Sequence, residues 1–272
     1  MLQIKRPMVM GILNVTPDSF IDGGRYLTLA PAVSQARLMI EQGADIIDVG
    51  GESTRPGATP VSVDEELARV IPVIEAIRAE SDVPISIDTS SPEVMQAAAQ
   101  AGADMINDVR ALQRDGALTM AAGLGLPVCL MHMQGRPENM QQNPTYDNVV
   151  TDISEFFVER IRQCLAAGMP LSGIVLDPGF GFGKTIAHNL QLVNRLAEFS
   201  HLGCPLLVGL SRKSTIGKIL GSVTTERLQG SVAAAVLAFI NGASIVRVHD
   251  VEPTVQALRV VNAIQREQIL SV

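Results

Sequence analysis

Eight short apolar runs recur along this chain of 272 residues, and each of them ends in a polar residue or glycine. A loop and a helix-length amphipathic stretch follow each run, at a spacing of about 34 residues that suits a βα unit. The predicted strands are residues 9–14, 46–50, 85–88, 105–108, 128–132, 174–177, 206–211 and 245–249. Near-continuous apolar strands are typical of a parallel sheet covered by helices. The pattern therefore predicts an α/β fold, a single-domain (β/α)8 TIM barrel over residues 1–272.

A tetrapeptide repeats before three of the runs, as QGAD at 42–45, AGAD at 101–104 and NGAS at 241–244. Its glycine suits a helix C-terminus that turns directly into a strand, because glycine tolerates the left-handed backbone found there. The predicted helices are residues 31–42, 63–80, 92–101, 117–124, 146–167, 186–199, 226–241 and 253–269. A doubly wound open sheet is the alternative, but it would normally have fewer strands or a visible second domain.

The composition limits the partners that the chain can have. Its net charge is −7, its aromatic content is 3% and it has no Trp, so nucleic acid and anionic membranes are poor partners. No apolar stretch reaches 18 residues, and the short run after Lys5 and Arg6 lacks a signal-peptide cleavage site. Three widely spaced cysteines argue against a disulfide framework. We expect a cytoplasmic protein.

The polar ends of the strands are the candidate site, because barrel enzymes build their active sites where the strands end. Two of the connections that follow, residues 15–29 and 51–62, are long and rich in Gly, Pro, Ser and Thr, which favours functional loops. The candidates, including nearby cations, are Asn14, Asp48, Arg55, Asp88, Asn107, Asp108, His132, Asp177, Ser211, Arg212, Lys213, Lys218, Arg247 and His249.

The spacing of these residues narrows the choice. Arg247 and His249 are two apart and share a strand face, whereas only one of the adjacent Asn107 and Asp108 can face the barrel axis. Arg212 and Lys218 are interpreted as solvated residues, and Lys213 and Arg247 as site residues. Asp48 is either a site residue or an anchor for the second long loop.

Several barrel chemistries lack their residues here. The first strand has no His-x-His for a metal-dependent hydrolase, and the sixth strand ends in Asp177 where a Schiff-base lysine would be needed. The segment GFGFGKT at 179–185 resembles a phosphate loop, but Pro178 replaces the glycine that such a loop begins with. We expect its glycines to let the backbone approach a ligand.

Eight segments, in order, resemble the dihydropteroate synthases of folate biosynthesis. They are GILNVTPDSF at 11–20, DVGGESTRPG at 48–57, SIDT at 86–89, NDV at 107–109, MHM at 131–133, DPGFGFGK at 177–184, SRKS at 211–214 and RVHD at 247–250. The resemblance spans almost the whole chain. It implies a transferase that joins 4-aminobenzoate to 6-hydroxymethyl-7,8-dihydropterin diphosphate and releases diphosphate.

The resemblance also implies roles for particular residues. Asp88, Asn107 and Asp177 would hold the pterin, with Lys213 against its ring, Arg247 stacked over it and Thr54 in contact at the loop. Asn14, Arg55 and His249 would face the diphosphate, Asn14 through Mg²⁺ as the cofactor. The residues expected to take part directly in the reaction are Arg55, Asp88, Lys213 and His249. The residues expected to shape the aminobenzoate pocket are Phe20, Pro56, Phe182 and Ser211.

Two other functions remain open from the residues. A corrinoid-linked methyltransferase that binds methyltetrahydrofolate would use a similar barrel, but it has no diphosphate to hold. A non-catalytic scaffold would have no reason to combine Asn14, Arg55 and His249. The resemblance also suggests a homodimer formed through helices on the outer wall of the barrel.

Overall fold

The computed structural model describes residues 6–16, 29–53, 61–135, 140–221 and 227–268. Within these residues, eight parallel strands form one sheet in the order β6-β5-β4-β3-β2-β1-β8-β7. The strands are β1 (Met8–Asn14), β2 (Ile46–Gly50), β3 (Ile85–Asp88), β4 (Met105–Asp108), β5 (Val128–Met131), β6 (Ile174–Asp177), β7 (Leu207–Val208) and β8 (Ile245–Val248). The predicted TIM barrel is confirmed, and its extent as one domain over residues 1–272 stays a prediction.

Helices follow the strands and cover the outside of the sheet. They are α1 (Leu29–Glu41), α2 (Val63–Glu80), α3 (Pro92–Ala101), α4 (Ala117–Leu124), α5 (Val149–Ala166), α6 (Ile186–Asn194), α7 (Ser214–Ile219), α8 (Leu228–Ile240) and α9 (Val251–Arg266). Among the described residues, none of these helices is long and apolar enough to cross a membrane.

The barrel closes unevenly. Strands β1 to β6 pair along most of their lengths, but in the described parts of the chain β6 and β7 meet at a single bridge, between Leu176 and Leu206. The Leu176 amide donates to the Pro205 carbonyl at 3.0 Å there. We call this joint the β6–β7 seam, and it lies between the strands that lead to Asp177 and to Lys213.

The interior of the barrel is apolar at the end where the strands begin. One residue from each of seven strands packs there, namely Met10, Ile46, Met105, Cys129, Val175, Leu207 and Ile245. Because successive side chains of a strand alternate in direction, the residues two positions later face the same interior nearer the strand ends. That rule places Asp48, Asn107, Asp177 and Arg247 above the apolar layer, where the site begins.

The repeated Gly-Ala-Asp phrase has a structural explanation. Gly43 and Gly102 have φ of 93° and 107°, the left-handed backbone that the sequence indicates. The aspartate that ends each of these two phrases then accepts a strand amide, with 2.8 Å from Val9 N to Asp45 Oδ2 and from Ile85 N to Asp104 Oδ2. Each repeat therefore ends a helix and fixes the beginning of a neighbouring strand.

Several predicted bounds were wrong at the ends. The seventh strand is reduced to two residues, and the sixth helix ends at Asn194 before a 3₁₀ segment over Leu196–Leu202. Helix α5 begins only at Val149, because the Asn148 side chain caps it by accepting from the amides of Val150 and Thr151. The short helix α7 was not predicted, since six residues carry too little periodicity to be recognised.

Candidate active site at the strand ends

A buried ion network lies on the barrel axis. Arg247 Nε donates to Asp48 Oδ2 at 2.6 Å and Arg247 Nη2 donates to Asp88 Oδ2 at 2.7 Å. Asn107 Nδ2 also donates to Asp48 Oδ2, at 3.2 Å. Strands β2, β3, β4 and β8 each supply one member, so residues that are distant in sequence meet because the parallel strands end together.

The protonation of this network is set by burial and by the closeness of like charges. The pKa of Asp88 is raised to about 7, mainly by burial; Arg247 opposes this rise and Asp48 adds to it. Burial lowers the pKa of Arg247, but its two carboxylate partners raise it above the ordinary value. The Oδ1 atom of Asp48 and the Oγ atom of Ser86 are buried without a partner among the described residues. Buried polar atoms are normally paired, so both atoms suit a polar ligand or water at this level of the barrel.

A second group of polar residues spans the β6–β7 seam. Asp177 Oδ1 accepts the Gly179 amide at 2.8 Å, and burial raises the pKa of Asp177 while Lys213 lowers it. Lys213 Nζ donates to the Phe180 carbonyl and lies 4.3 Å from the centre of the Phe182 ring. Burial lowers the pKa of Lys213 to about 8. A buried acid, a half-buried amine and an aromatic face therefore line one side of the barrel opening.

His249 and Ser211 form a third group at the ends of β8 and β7. The His249 amide donates to Ser211 Oγ at 3.2 Å, and the His249 Nδ1 atom lies 3.1 Å from the same oxygen. Beside them, Arg212 forms a two-point ion pair with Asp250 while its side chain stays half exposed. The interpretation of Arg212 as a solvated residue is consistent with this arrangement.

The loop between Asp177 and Lys184 is shaped by its glycines. Gly179, Gly181 and Gly183 have φ of 70°, 85° and 58°. A methyl group on Gly179 would overlap the His132 carbonyl oxygen and lie 3.0 Å from its carbon, and one on Gly183 would lie 2.9 Å from the Gln134 amide. The expectation that these glycines let the backbone approach a ligand stays a prediction. Gly179 and Gly183 admit the neighbouring backbone after β5.

The strand-face argument for Asn107 and Asp108 is confirmed. Asn107 faces the axis, whereas Asp108 accepts from Ser90 Oγ and from the amides of Arg110 and Leu112, at 2.8 and 2.7 Å. Asp108 therefore holds the turn after β4 and is a structural residue.

The structure brings most of the predicted site residues to one end of the barrel. Asn14 ends β1, where it pairs in register with Gly50 beside Asp88. Asp88, Asn107, Asp177, Phe182, Ser211, Lys213, Arg247 and His249 lie at the same end, on the elements described above. The predicted Phe20, Thr54, Arg55 and Pro56 lie outside the described residues.

Two residues of the site were not identified firmly from the sequence. Asp48 was left undecided between site and anchor, and the structure places it in the axial ion network. Its position two residues before Gly50, on the inward face, was the available signal. Lys184 was passed over as part of an imperfect phosphate loop, although it is 3% exposed. Its role depends on His132, a contact across 52 residues that no local pattern reveals.

A metal ion would have to be held by the side chains at the strand ends. No group of three His, Cys, Asp or Glu residues is arranged to hold a metal ion in the part of the chain that the structure describes. Mg²⁺ commonly binds through one or two protein oxygens, water and substrate phosphates. The amide oxygen of Asn14, on the strand next to Gly50, is compatible with that kind of site.

The chain was compared with known proteins. Residues 10–249 match the family model described as pterin binding enzyme. The chain is 58% identical over 262 residues to the dihydropteroate synthase of Escherichia coli (strain K12), covering 96% of this chain and 93% of that protein. The Yersinia pestis dihydropteroate synthase in a sulfonamide drug complex has a TM-score of 0.93 at 55% identity, with 97% and 96% of the two chains covered. The Xanthomonas albilineans dihydropteroate synthase with 4-aminobenzoic acid has a TM-score of 0.92 at 53% identity, with 97% and 95% covered.

Proposed function

The chain belongs to the dihydropteroate synthase family of pterin-binding enzymes and is a transferase, and we propose that its substrates are 6-hydroxymethyl-7,8-dihydropterin diphosphate and 4-aminobenzoate. The products are 7,8-dihydropteroate and diphosphate. The observation that carries the assignment of substrates is the set of buried carboxylates beside Arg247 and Lys213 at the strand ends, together with relatives named dihydropteroate synthase that the chain covers to more than nine-tenths. The corrinoid-linked alternative has no support from these relatives.

The pterin ring suits the polar floor of the barrel. Its aminopyrimidine edge presents paired N–H donors, which a buried carboxylate such as Asp177 accepts side by side. Asn107 can both donate and accept, so it reads mixed positions of the ring. Arg247 offers a planar guanidinium whose position is fixed by Asp48 and Asp88. We assign the pterin to the space bounded by these residues and Lys213.

The reaction breaks the C–O bond to diphosphate and forms a C–N bond to the aromatic amine. The amine is already a neutral nucleophile, so the site needs to stabilise a departing anion more than it needs a general base. Cations nearby supply that stabilisation, and we assign His249, oriented by Ser211, and Arg55 to the diphosphate. Mg²⁺, when bound through Asn14, would neutralise part of the phosphate charge.

The 4-aminobenzoate is assigned to the side of the site that Phe182 and Ser211 form, with Phe20 and Pro56 from the long loops. The Phe182 ring beneath the Lys213 amine offers an apolar face beside a cation, which suits an aromatic carboxylate. A sulfonamide of the same shape should compete for this place, and the sulfonamide complex of the Yersinia pestis relative supports that assignment.

The test is direct incubation of the purified protein with both substrates, with chromatography for dihydropteroate and a coupled assay for diphosphate. We expect the two products in equal amounts, and inhibition by a sulfonamide that 4-aminobenzoate relieves. Chelation of Mg²⁺ should abolish turnover, and Asn14→Ala should raise the Mg²⁺ concentration needed for half-maximal rate. Diphosphate release without dihydropteroate would contradict the assignment of 4-aminobenzoate as acceptor.

We further assign a homodimer to this chain. Large apolar side chains are exposed on one region of the outer wall, namely Ile219, Leu220, Leu228, Leu237, Ile240, Val260 and Ile264. Val260 and Ile264 share a face of α9, and Leu237 and Ile240 share a face of α8, which packs on α9. Exposed apolar patches of this kind are typical of protein interfaces.

Light scattering after size exclusion tests the dimer. Ile264→Glu should give a monomer, because it places a charge in the apolar region, whereas Val158→Glu on α5 should not change the mass. A parent protein that is monomeric at micromolar concentration would contradict the proposal.

We also assign the protein to a reducing compartment, the cytoplasm, because Cys129, Cys164 and Cys204 are all buried free thiols.

A further inference from the structure

Lys184 is a buried lysine that the proposed reaction does not use. It lies between the glycine loop and α6, and its side chain is 3% exposed. Its Nζ atom lies 3.0 Å from His132 Nδ1, 3.3 Å from the His132 carbonyl oxygen and 2.9 Å from the Phe182 carbonyl oxygen. Three acceptors match the three protons of an ammonium group, so every donor of the side chain is used.

The surroundings explain how such a group is tolerated. Burial, together with the nearby Lys213, lowers the pKa of Lys184 well below its ordinary value, and the nearby Asp177 opposes part of that fall. Burial and Lys184 both lower the pKa of His132, which keeps that imidazole neutral and leaves Nδ1 able to accept. A buried lysine is unfavourable unless it is fully hydrogen-bonded, so its presence calls for a specific use of these bonds.

The bonds connect two loops that the glycines bring together. His132 follows β5, and Phe182 lies at the tip of the loop after β6, where the Phe182 ring contacts the amine of Lys213. The hydroxyl of Tyr146 adds a donor from the other side, 2.7 Å from the Gly183 carbonyl oxygen. Asp177 stays on its strand at the beginning of the loop. The hydrogen bonds of Lys184 within the loop therefore go to its far half, at Phe182, and none goes to a residue of its near half.

We propose that Lys184 is a positioning residue that holds Phe182 against Lys213 and so sets the affinity for 4-aminobenzoate, while leaving the pterin end of the site to Asp177. The proposal rests on the assignment of 4-aminobenzoate to the Phe182 side. A structural lysine of the ordinary kind would lower stability when replaced, and it would affect both substrates equally or neither. Replacing a positioning residue should instead change the KM for 4-aminobenzoate much more than the KM for pterin diphosphate.

The experiment uses Lys184→Met, which keeps the aliphatic length and removes the donors. We expect the KM for 4-aminobenzoate to rise at least about tenfold and the KM for pterin diphosphate to change less than about threefold, since misplacing a contact group by about an ångström is costly. Lys218→Met, at an exposed lysine on α7, is the matched control and should change neither constant. Leu258→Ala in the core of α9 controls for lost stability and should lower the melting temperature without the split in KM.

The outcomes separate this proposal from the proposed function. A parent protein that forms no dihydropteroate would overturn both. An active parent whose Lys184→Met variant shows equal changes in the two KM values, or the same values as the parent, would overturn the positioning role alone. Nitrogen NMR of the His132 ring supplies an independent readout, because its Nδ1 signal should shift when Lys184 is replaced. A shifted signal without a KM split would also overturn the proposal.

Discussion

Replacing Gly179 by alanine tests whether the close approach of two loops holds the site together. Gly179 has φ of 70°, and its added methyl group would overlap the His132 carbonyl oxygen and lie 3.0 Å from the carbonyl carbon. The overlap with the oxygen is the closer of the two contacts, and non-bonded atoms normally stay about 3.5–4.0 Å apart, so one backbone must move by more than about 1 Å. Gly125 has a similar φ of 67° with no atom within 4 Å of the same built position, so it provides a matched control without the overlap.

The magnitudes follow from separating the two effects. Alanine in the left-handed region costs about 1–2 kcal/mol, which a stiffer unfolded chain offsets by about 0.4–1 kcal/mol. Gly125→Ala should therefore lower the free energy of unfolding by about 1 kcal/mol. In Gly179→Ala an overpacking cost of about 1–3 kcal/mol is added to that backbone cost, so the free energy of unfolding should fall by about 2–4 kcal/mol. In a chain of about this length, a loss of about 1 kcal/mol lowers the melting temperature by about 2–4 °C. The melting temperature should therefore fall by about 3 °C in Gly125→Ala and by about 5–15 °C in Gly179→Ala.

Activity gives the sharper comparison. A displacement of about 1 Å in the loop that carries Phe182 should reduce kcat/KM about a hundredfold, whereas Gly125→Ala, at the far end of α4, should leave it unchanged. Thermal unfolding at one scan rate and steady-state kinetics of both variants provide the measurements. If the two variants melt together and both remain fully active, the loop tolerates the displacement and the close approach has no functional role.

Three further predictions concern buried charges. Asp177→Asn should weaken binding of a pterin analogue by about 1.5–3 kcal/mol in calorimetry, because an ionised acceptor is lost, and unchanged affinity would remove Asp177 from the pterin site. Since the pKa of Asp88 is about 7 and that of Lys213 about 8, kcat/KM for pterin diphosphate should be greatest between them. It should fall at lower pH as Asp88 is protonated and at higher pH as Lys213 loses its charge, and Lys213→Arg should remove the alkaline fall. Burial raises the pKa of Glu66, so the folded state holds a proton that the unfolded chain releases above its ordinary pKa of 4.5. The stability that this proton contributes is present at low pH and is lost as pH rises. Denaturant midpoints should therefore show that Glu66→Gln becomes more stable relative to the parent as the pH is raised from about 5 to about 8. A stability difference that does not change with pH would contradict this linkage.

The sequence was sufficient for the barrel because its information is local. Alternation within the strand predicted that only one of Asn107 and Asp108 faces the axis, and the structure shows that it is Asn107. The Gly-Ala-Asp phrases marked where helices end. Contacts between distant segments could not be predicted in this way. The approach of Gly179 to His132 and the place of Asp48 beside Arg247 depend on how the whole sheet closes. Local periodicity contains no record of that closure.

The β6–β7 seam gives the barrel a place where it is least bound together. One bridge joins these strands, and Asp177 and Lys213 lie on either side of it. The Lys213 amine already reaches across to the Phe180 carbonyl. A ligand that binds both residues acts as a cross-link at this seam. The amide protons of β7 should therefore exchange more slowly with ligand bound than in the free protein. Bound substrate then stabilises a part of the sheet that few backbone hydrogen bonds hold together. The part of the protein that gains most in rigidity on binding is the wall of the barrel itself.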